Sequence, residues 1–265
     1  MGEGVYVYCI VNTGQKLDFD RKGFNGRRVY NVSYRELGAV VSDTPGFIYE
    51  VNEENILLHE EVIEDVMHHY TVLPVQFGTV LKDTEAVKAL LEKFYPELTE
   101  KLSRLENKVE FGLKVIWPVD EIREEIMINE QAGNFEQDTE KTKKLSGEKY
   151  MLARMRDFRI QASLERRADE LIAEIDGALR PYVEGSCLKK LLSEKLFLSA
   201  AYLVHKDRIG EFRERVRQVM NQYRKLKFLY SGPWPPYNFA VFEQPLSLMN
   251  TGRDSNGSQE CRIRP

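Results

Sequence analysis

Residues 5–11, VYVYCIV, carry an apolar or aromatic side chain at every position. A strand sends successive side chains to opposite faces, so this segment has no face to turn to water. It must lie inside a sheet that is covered on both sides. Strict alternation would group Val5, Val7, Cys9 and Val11 on one face and Tyr6, Tyr8 and Ile10 on the other. The rest of the chain has to cover both.

Residues 12–26, polar and glycine-rich, read as a loop, and residues 29–34 and 37–42 as two strands joined by a tight Arg35-Glu36 link. A helix is predicted over about residues 52–70. Asn52 is its N-cap, Glu53 and Glu54 suit the positive end of the helix dipole, and Ile56, Ile63, Val66 or Met67, and Tyr70 form its buried stripe. Leu73, Val75 and Phe77 then alternate with Pro74 and Gln76 as a short strand. Proline has no N–H to donate, which suits a strand start or a sheet edge. Residues 84–105 read as a helix bent or split at Pro96. Val109, Phe111, Leu113, Val115 and Trp117 alternate with Lys108, Glu110, Gly112, Lys114 and Ile116, giving one core face and one mostly polar face.

After Pro118 the order begins again. A short helix at 120–130, a polar stretch to Gly147 and a long helix at about 148–180 are predicted. The long helix carries Met151, Met155, Phe158, Ala162, Leu171, Ile175 and Leu179 at helical spacing. Strands at 187–192 and 196–204, a helix bearing Ile209, Phe212, Val216, Val219 and Tyr223, and a strand at 226–230 follow. Residues 250–265 are polar and read as disordered. The expectation is an α+β chain of two domains, residues 1–118 and 119–231. Each is a small, mainly antiparallel sheet with helices, a ferredoxin-like variant, and residues 232–265 form a C-terminal aromatic and proline-rich segment with a polar tail.

Reactive chemistry is sparse. His59, His68 and His69 share one predicted helix with Glu60, Glu61, Glu64 and Asp65. HEEVI puts Ile63 where a HExxH zinc motif needs its second histidine, and the Asp65 and His68 pair has no second copy on another helix. The histidines read as part of a solvated helix face. The glycines form no phosphate loop, Ser42 sits in no nucleophile elbow, and Cys9 has no assigned base. No catalytic residue, metal ligand or cofactor is expected.

The three cysteines, Cys9, Cys187 and Cys261, are odd in number and far apart, which gives no disulfide framework and fits a reducing compartment. A net charge of −4 exerts no general pull on nucleic acid or anionic membrane. No apolar run reaches the roughly 20 residues that span a bilayer, and the N-terminus reads as a strand, not a signal peptide. One rival comes from aromatic strands. Tyr6, Tyr8, Tyr30 and Tyr34 on a ferredoxin-like sheet would suit an RNA-binding protein that stacks bases, although Lys22-Gly23-Phe24 leaves the RNA-binding pattern at Asn25.

Several segments, taken in order over residues 5–242, resemble the GvpF/GvpL family of gas vesicle proteins. They are VYVYCIV, Leu37-Gly38-Ala39-Val40-Val41-Ser42, and His59-Glu60 leading to Leu73-Pro74-Val75-Gln76-Phe77-Gly78-Thr79, with Gln76 where the family usually has arginine. Gly147-Glu148-Lys149-Tyr150-Met151 and Gly232-Pro233-Trp234-Pro235-Pro236-Tyr237-Asn238-Phe239 complete the set. The resemblance implies two α+β domains, binding of the small apolar shell protein GvpA, and help in gas vesicle assembly at the gas-facing side of the shell, inside the cytoplasm. Other gas vesicle accessory proteins are further candidate partners, and no enzymatic activity is implied.

Two segments are the candidates for protein binding. One is Pro74, Gln76 and Phe77, if that strand lies at an edge. The other is Trp234, Tyr237, Phe239 and Phe242, where neighbouring prolines pre-set an extended chain. The competing reading, favoured because Trp and Tyr are usually well buried, is that these aromatics pin the segment onto the protein's own core.

Overall fold

The structure, a computed structural model, describes residues 4–46, 48–134, 146–190, 196–240 and 261–263. It is α+β, with two antiparallel sheets and six helices among the described residues.

The first sheet holds β1 (Gly4–Val11), β2 (Asp18–Lys22), β3 (Arg28–Tyr34), β4 (Leu37–Thr44), β5 (Val72–Pro74) and β6 (Val80–Leu81). Its order is β2-β3-β4-β1-β5, with β6 also paired to β1. Every residue of β1 is buried, as its composition requires. Its alternation is not strict. A bulge between Val7 and Cys9 shifts the register against β4. Tyr6, Tyr8, Cys9 and Val11 therefore enter one core cluster, while Val5, Val7 and Ile10 enter the other.

Helices take both faces, a variant of the ferredoxin-like arrangement with a third layer. On the Tyr6 face lies α1 (Glu53–Met67), through Val62, Ile63, Val66 and Met67. Asn52 caps it by accepting the Asn55 N–H at 2.9 Å. On the Val5 face lie α2 (Thr84–Lys93) and α3 (Tyr95–Leu105), through Val87, Leu90, Leu91, Leu98, Leu102 and Leu105. Pro96, in the first turn of α3, marks the expected split. β2, inside the segment expected to be a loop, is an edge strand of sequence DFDRK. Arg21 ties it to α1 by ion pairs with Glu61 and Asp65.

The second sheet holds β7 (Lys108–Ile116), β8 (Gly185–Lys190), β9 (Leu196–His205), β10 (Lys227–Trp234) and β11 (Cys261–Ile263), in the order β10-β7-β9-β8-β11. Sheet membership thus changes between α3 and β7, ahead of Pro118. The helices of this half are α4 (Val119–Asn134), α5 (Ser146–Leu179) and α6 (Ile209–Gln222). Ile160, Leu164, Ala168, Leu171, Ile175 and Leu179 of α5, with Phe212, Val216 and Val219 of α6, pack on the β7 face formed by Val109, Phe111, Leu113 and Val115. The other face meets Phe239 and Ala240, with Cys187, Ala201 and Leu203 in the cluster that also contains the α3 leucines. This contact joins the two halves.

Three expectations need correction. The expected α5 stripe is buried only in its second half. Met151, Met155 and Phe158 are exposed, Phe158 by 76%, and the α5 residues in the core cluster begin at Ile160. The C-terminal region is not without structure, since β11 pairs with β8. Cys187 is disulfide-bonded, where the spacing of the cysteines had offered no framework. The polar stretch at 135–145, Phe242 and residues 250–260 lie outside the described residues. No helix among the described residues is long and apolar enough to cross a membrane.

Candidate functional site

Tyr6 and Tyr8 project from the same face of β1 into a nest of rings under the Pro74–Thr79 turn. The Tyr6 ring lies 4.6 Å from Phe24, 4.8 Å from Tyr8, 5.0 Å from Tyr49, 5.7 Å from His59 and 6.4 Å from Phe77, centroid to centroid. These are the separations at which edge-to-face and offset ring pairs attract.

The polar atoms of the nest are paired in a determinate order. The His59 Nε2 contact at 3.1 Å is to the Val75 carbonyl, which can only accept, so Nε2 carries the proton. Nδ1 is then an acceptor, and the Tyr6 hydroxyl donates to it at 3.0 Å. The Tyr6 oxygen in turn accepts the Gly78 N–H at 2.9 Å. One histidine and one tyrosine therefore hold both ends of the turn between Val75 and Gly78. Gly78 has φ +82, a backbone conformation that favours glycine. Thr79 closes the turn by donating its hydroxyl to the Gln76 carbonyl at 2.7 Å. Nearby, the Tyr8 hydroxyl accepts the Phe24 N–H at 3.1 Å and shares a 2.9 Å hydrogen bond with Ser42. Gly23 makes room for it, since a Cβ there would come within 2.3 Å of the Tyr8 oxygen.

His59 is 3% exposed, which overturns the reading of these histidines as one solvated face. His68 and His69 are exposed, but His59 is core. Its spacing from Val62, Ile63 and Val66 was the available signal, because it places His59 on the apolar stripe. Burial holds its pKa down at about 4, against the partial support of the Val75 contact. A depressed group contributes stability above its unfolded pKa and loses it as pH falls through the folded value. The acid limb of unfolding should therefore contain a component that fades from about pH 6.5 to about pH 4. It should be missing in His59→Gln, as read from urea midpoints across that range. Among the described residues no group of three or more His, Cys, Asp or Glu is placed to hold a metal ion.

What the nest displays is a rigid loop. Pro74 is buried on β5 opposite Cys9, and β5 closes its side of the sheet order. Gln76 is exposed and Phe77 half-buried. Tyr49 and Phe77 pack on the same Tyr6 and Phe24 rings, so the loop carrying Tyr49 shares this end of the sheet. That loop exposes Ile48 by 92% and Val51 by 75%.

The second expected segment is divided. Trp234 ends β10, lies opposite Glu110 of β7, and is 38% exposed, with Nε1 donating to the Ser231 hydroxyl at 3.1 Å. With Leu229 it rims a groove floored by Gly112, Ser199 and Ala201. Tyr237 is half-buried in the first core cluster and Phe239 is buried in the second. Glu110, expected on a polar face, is 5% exposed. Its carboxylate accepts the Asn238 N–H at 2.8 Å and the Asn238 side-chain amide at 2.6 Å. This fixes the segment to β7. Burial lifts the Glu110 pKa to about 7 in spite of the Asn238 hydrogen bonds, which act to lower it.

Tyr6 and Tyr8 are fully buried, so two of the four aromatics expected to form a base-stacking platform are not at the surface, while Tyr30 and Tyr34 are half-buried. The family model described as gas vesicle synthesis protein GvpL/GvpF matches residues 4–241. The chain belongs to the GvpL/GvpF family. It is 28% identical to gas vesicle protein F1 of Halobacterium salinarum over 245 residues, covering 90% of this chain and 93% of that protein. It is 25% identical to gas vesicle protein F of Dolichospermum flosaquae, covering 90% and 98%. The crystal structure of GvpF from Anabaena sp. PCC7120 superposes with a TM-score of 0.80 at 23% identity, covering 92% of this chain and all of that one. As a GvpL/GvpF protein the chain is a gas vesicle protein, and its LPVQFGT segment holds the turn clamped by Tyr6 and His59.

Proposed function

We propose that this chain binds the gas vesicle shell protein GvpA and keeps it soluble until it is added to the growing shell, on the gas-facing side. A shell that keeps liquid water out must be strongly apolar on one side, so its free subunits tend to aggregate. A partner that covers such a surface needs exposed apolar side chains on a rigid support. The observation that carries the reading is the end of the first sheet. There Ile48 and Val51 stand in solvent beside a turn whose backbone is pinned at Val75 and Gly78. Gln76 is the exposed polar side chain of that turn, flanked by buried Pro74 and half-buried Phe77. The groove rimmed by Leu229 and Trp234 is the second surface, and Tyr237 and Phe239 anchor it from the core side.

Co-expression of GvpA with the full chain tests this. The soluble fraction of GvpA should rise several-fold, and Ile48→Asp with Val51→Asp should lower capture by about tenfold with an unchanged melting temperature. Trp234→Ala assigns the groove in the same way. GvpA that stays insoluble in the presence of the folded chain counts against the proposal.

A further inference from the structure

The second sheet ends on β8, and the strand that covers its outer edge is the chain's own C-terminus. β11 pairs with β8 antiparallel, with Cys261 opposite Cys187, Arg262 opposite Ser186 and Ile263 opposite Gly185. The chain has three cysteines. Cys9 is free and buried, and Cys187 is disulfide-bonded. We infer that Cys187 and Cys261 are bonded to each other, and that the bond is a redox-operated clasp holding β11 over the edge of β8.

The backbone register fits such a bond. Directly opposite residues of an antiparallel pair have Cα atoms about 4.5 or 5.5 Å apart, inside the range of about 4.4–6.8 Å that disulfides span. The bond also has a task. A strand of three residues offers only a few ladder hydrogen bonds. Each has a small net worth, set against the entropy of closing a long loop. The covalent link removes that entropic cost and decides whether the strand stays. Once it is cut, β11 leaves and β8 presents unpaired N–H and C=O groups, the usual template for an incoming strand.

The chemistry is thiol–disulfide exchange. The two thiols lose two protons and two electrons to a disulfide oxidant such as oxidised glutathione. One S–S bond forms in the protein as one breaks in the oxidant, which departs as two thiols.

The full chain, equilibrated with oxidised or reduced glutathione, provides the test. After oxidation, peptide mass spectrometry should find Cys187 linked to Cys261 in a monomer. After reduction, both should accept a thiol label while Cys9, buried in the intact fold, does not. Amide exchange over residues 185–187 should rise at least tenfold on reduction, and Cys261→Ser should show the faster rate in either buffer. The inference is overturned by free thiols at both positions after oxidation, by a linkage between two chains on a non-reducing gel, or by exchange over residues 185–187 that ignores the redox state.

Discussion

Tyr6→Ala should lower the unfolding free energy by about 3–5 kcal/mol, a large share of the ~5–15 kcal/mol typical of a domain. The side chain is fully buried and its ring meets five others. Removing it leaves a cavity under the Val75–Gly78 turn and strips the acceptor from the Gly78 N–H. Tyr6→Phe separates the two contributions. It keeps the ring and loses only the hydroxyl, leaving the Gly78 N–H and the His59 Nδ1 unpaired, at a cost of about 1–3 kcal/mol. Urea denaturation of both variants provides the measurement. Equal losses would mean that the hydroxyl alone sets the value, and a loss below about 1 kcal/mol for alanine would show that the nest is not the core of this half.

Asn238→Ala should cost about 1.5–3 kcal/mol at pH 8, because it takes one of two donors from a buried carboxylate. The cost should shrink below about pH 6. Glu110 has a folded pKa of about 7, above its ordinary value of 4.5. Its contribution to stability is therefore fully present below about 4.5 and is lost as pH rises through about 7. A carboxylate that is already protonated gains less from the missing amide. Glu110→Gln should flatten the stability profile between pH 5 and pH 8, where the wild-type chain loses stability on the order of 3 kcal/mol from this group. This slope is opposite in sign to that of His59, so the two groups separate by variant even where their pH windows overlap. A profile unchanged in Glu110→Gln would remove Glu110 as its source.

The features legible in the sequence are those carried by local patterning. The all-apolar segment at 5–11 announced a doubly covered strand, Asn52 the cap of α1, and Pro96 the break between α2 and α3. The features it concealed depend on distant neighbours. Nothing in VYVYCIV marks the bulge that turns Tyr8 and Cys9 to the same side, because the register is set against β4. DFDRK lacks apolar alternation, and it is a strand because β3 and the α1 carboxylates hold it. Glu110 alternates correctly out of the helix-covered face but is buried by the C-terminal segment, more than a hundred residues away. Met151, Met155 and Phe158 carry a buried-type pattern yet are exposed, since periodicity reports the face of a helix and not how far the core beneath it extends. At the candidate site, the LPVQFGT segment was visible, while the His59 and Tyr6 clamp that gives it shape was not.

The thirty-four residues of the long helix rise about 50 Å, yet among the described side chains the buried ones run from Ile160 to Leu179. Before Ile160 the helix turns Met151, Met155 and Phe158 to solvent. One helix thus has a stretch spent on the fold and another whose apolar side chains meet water.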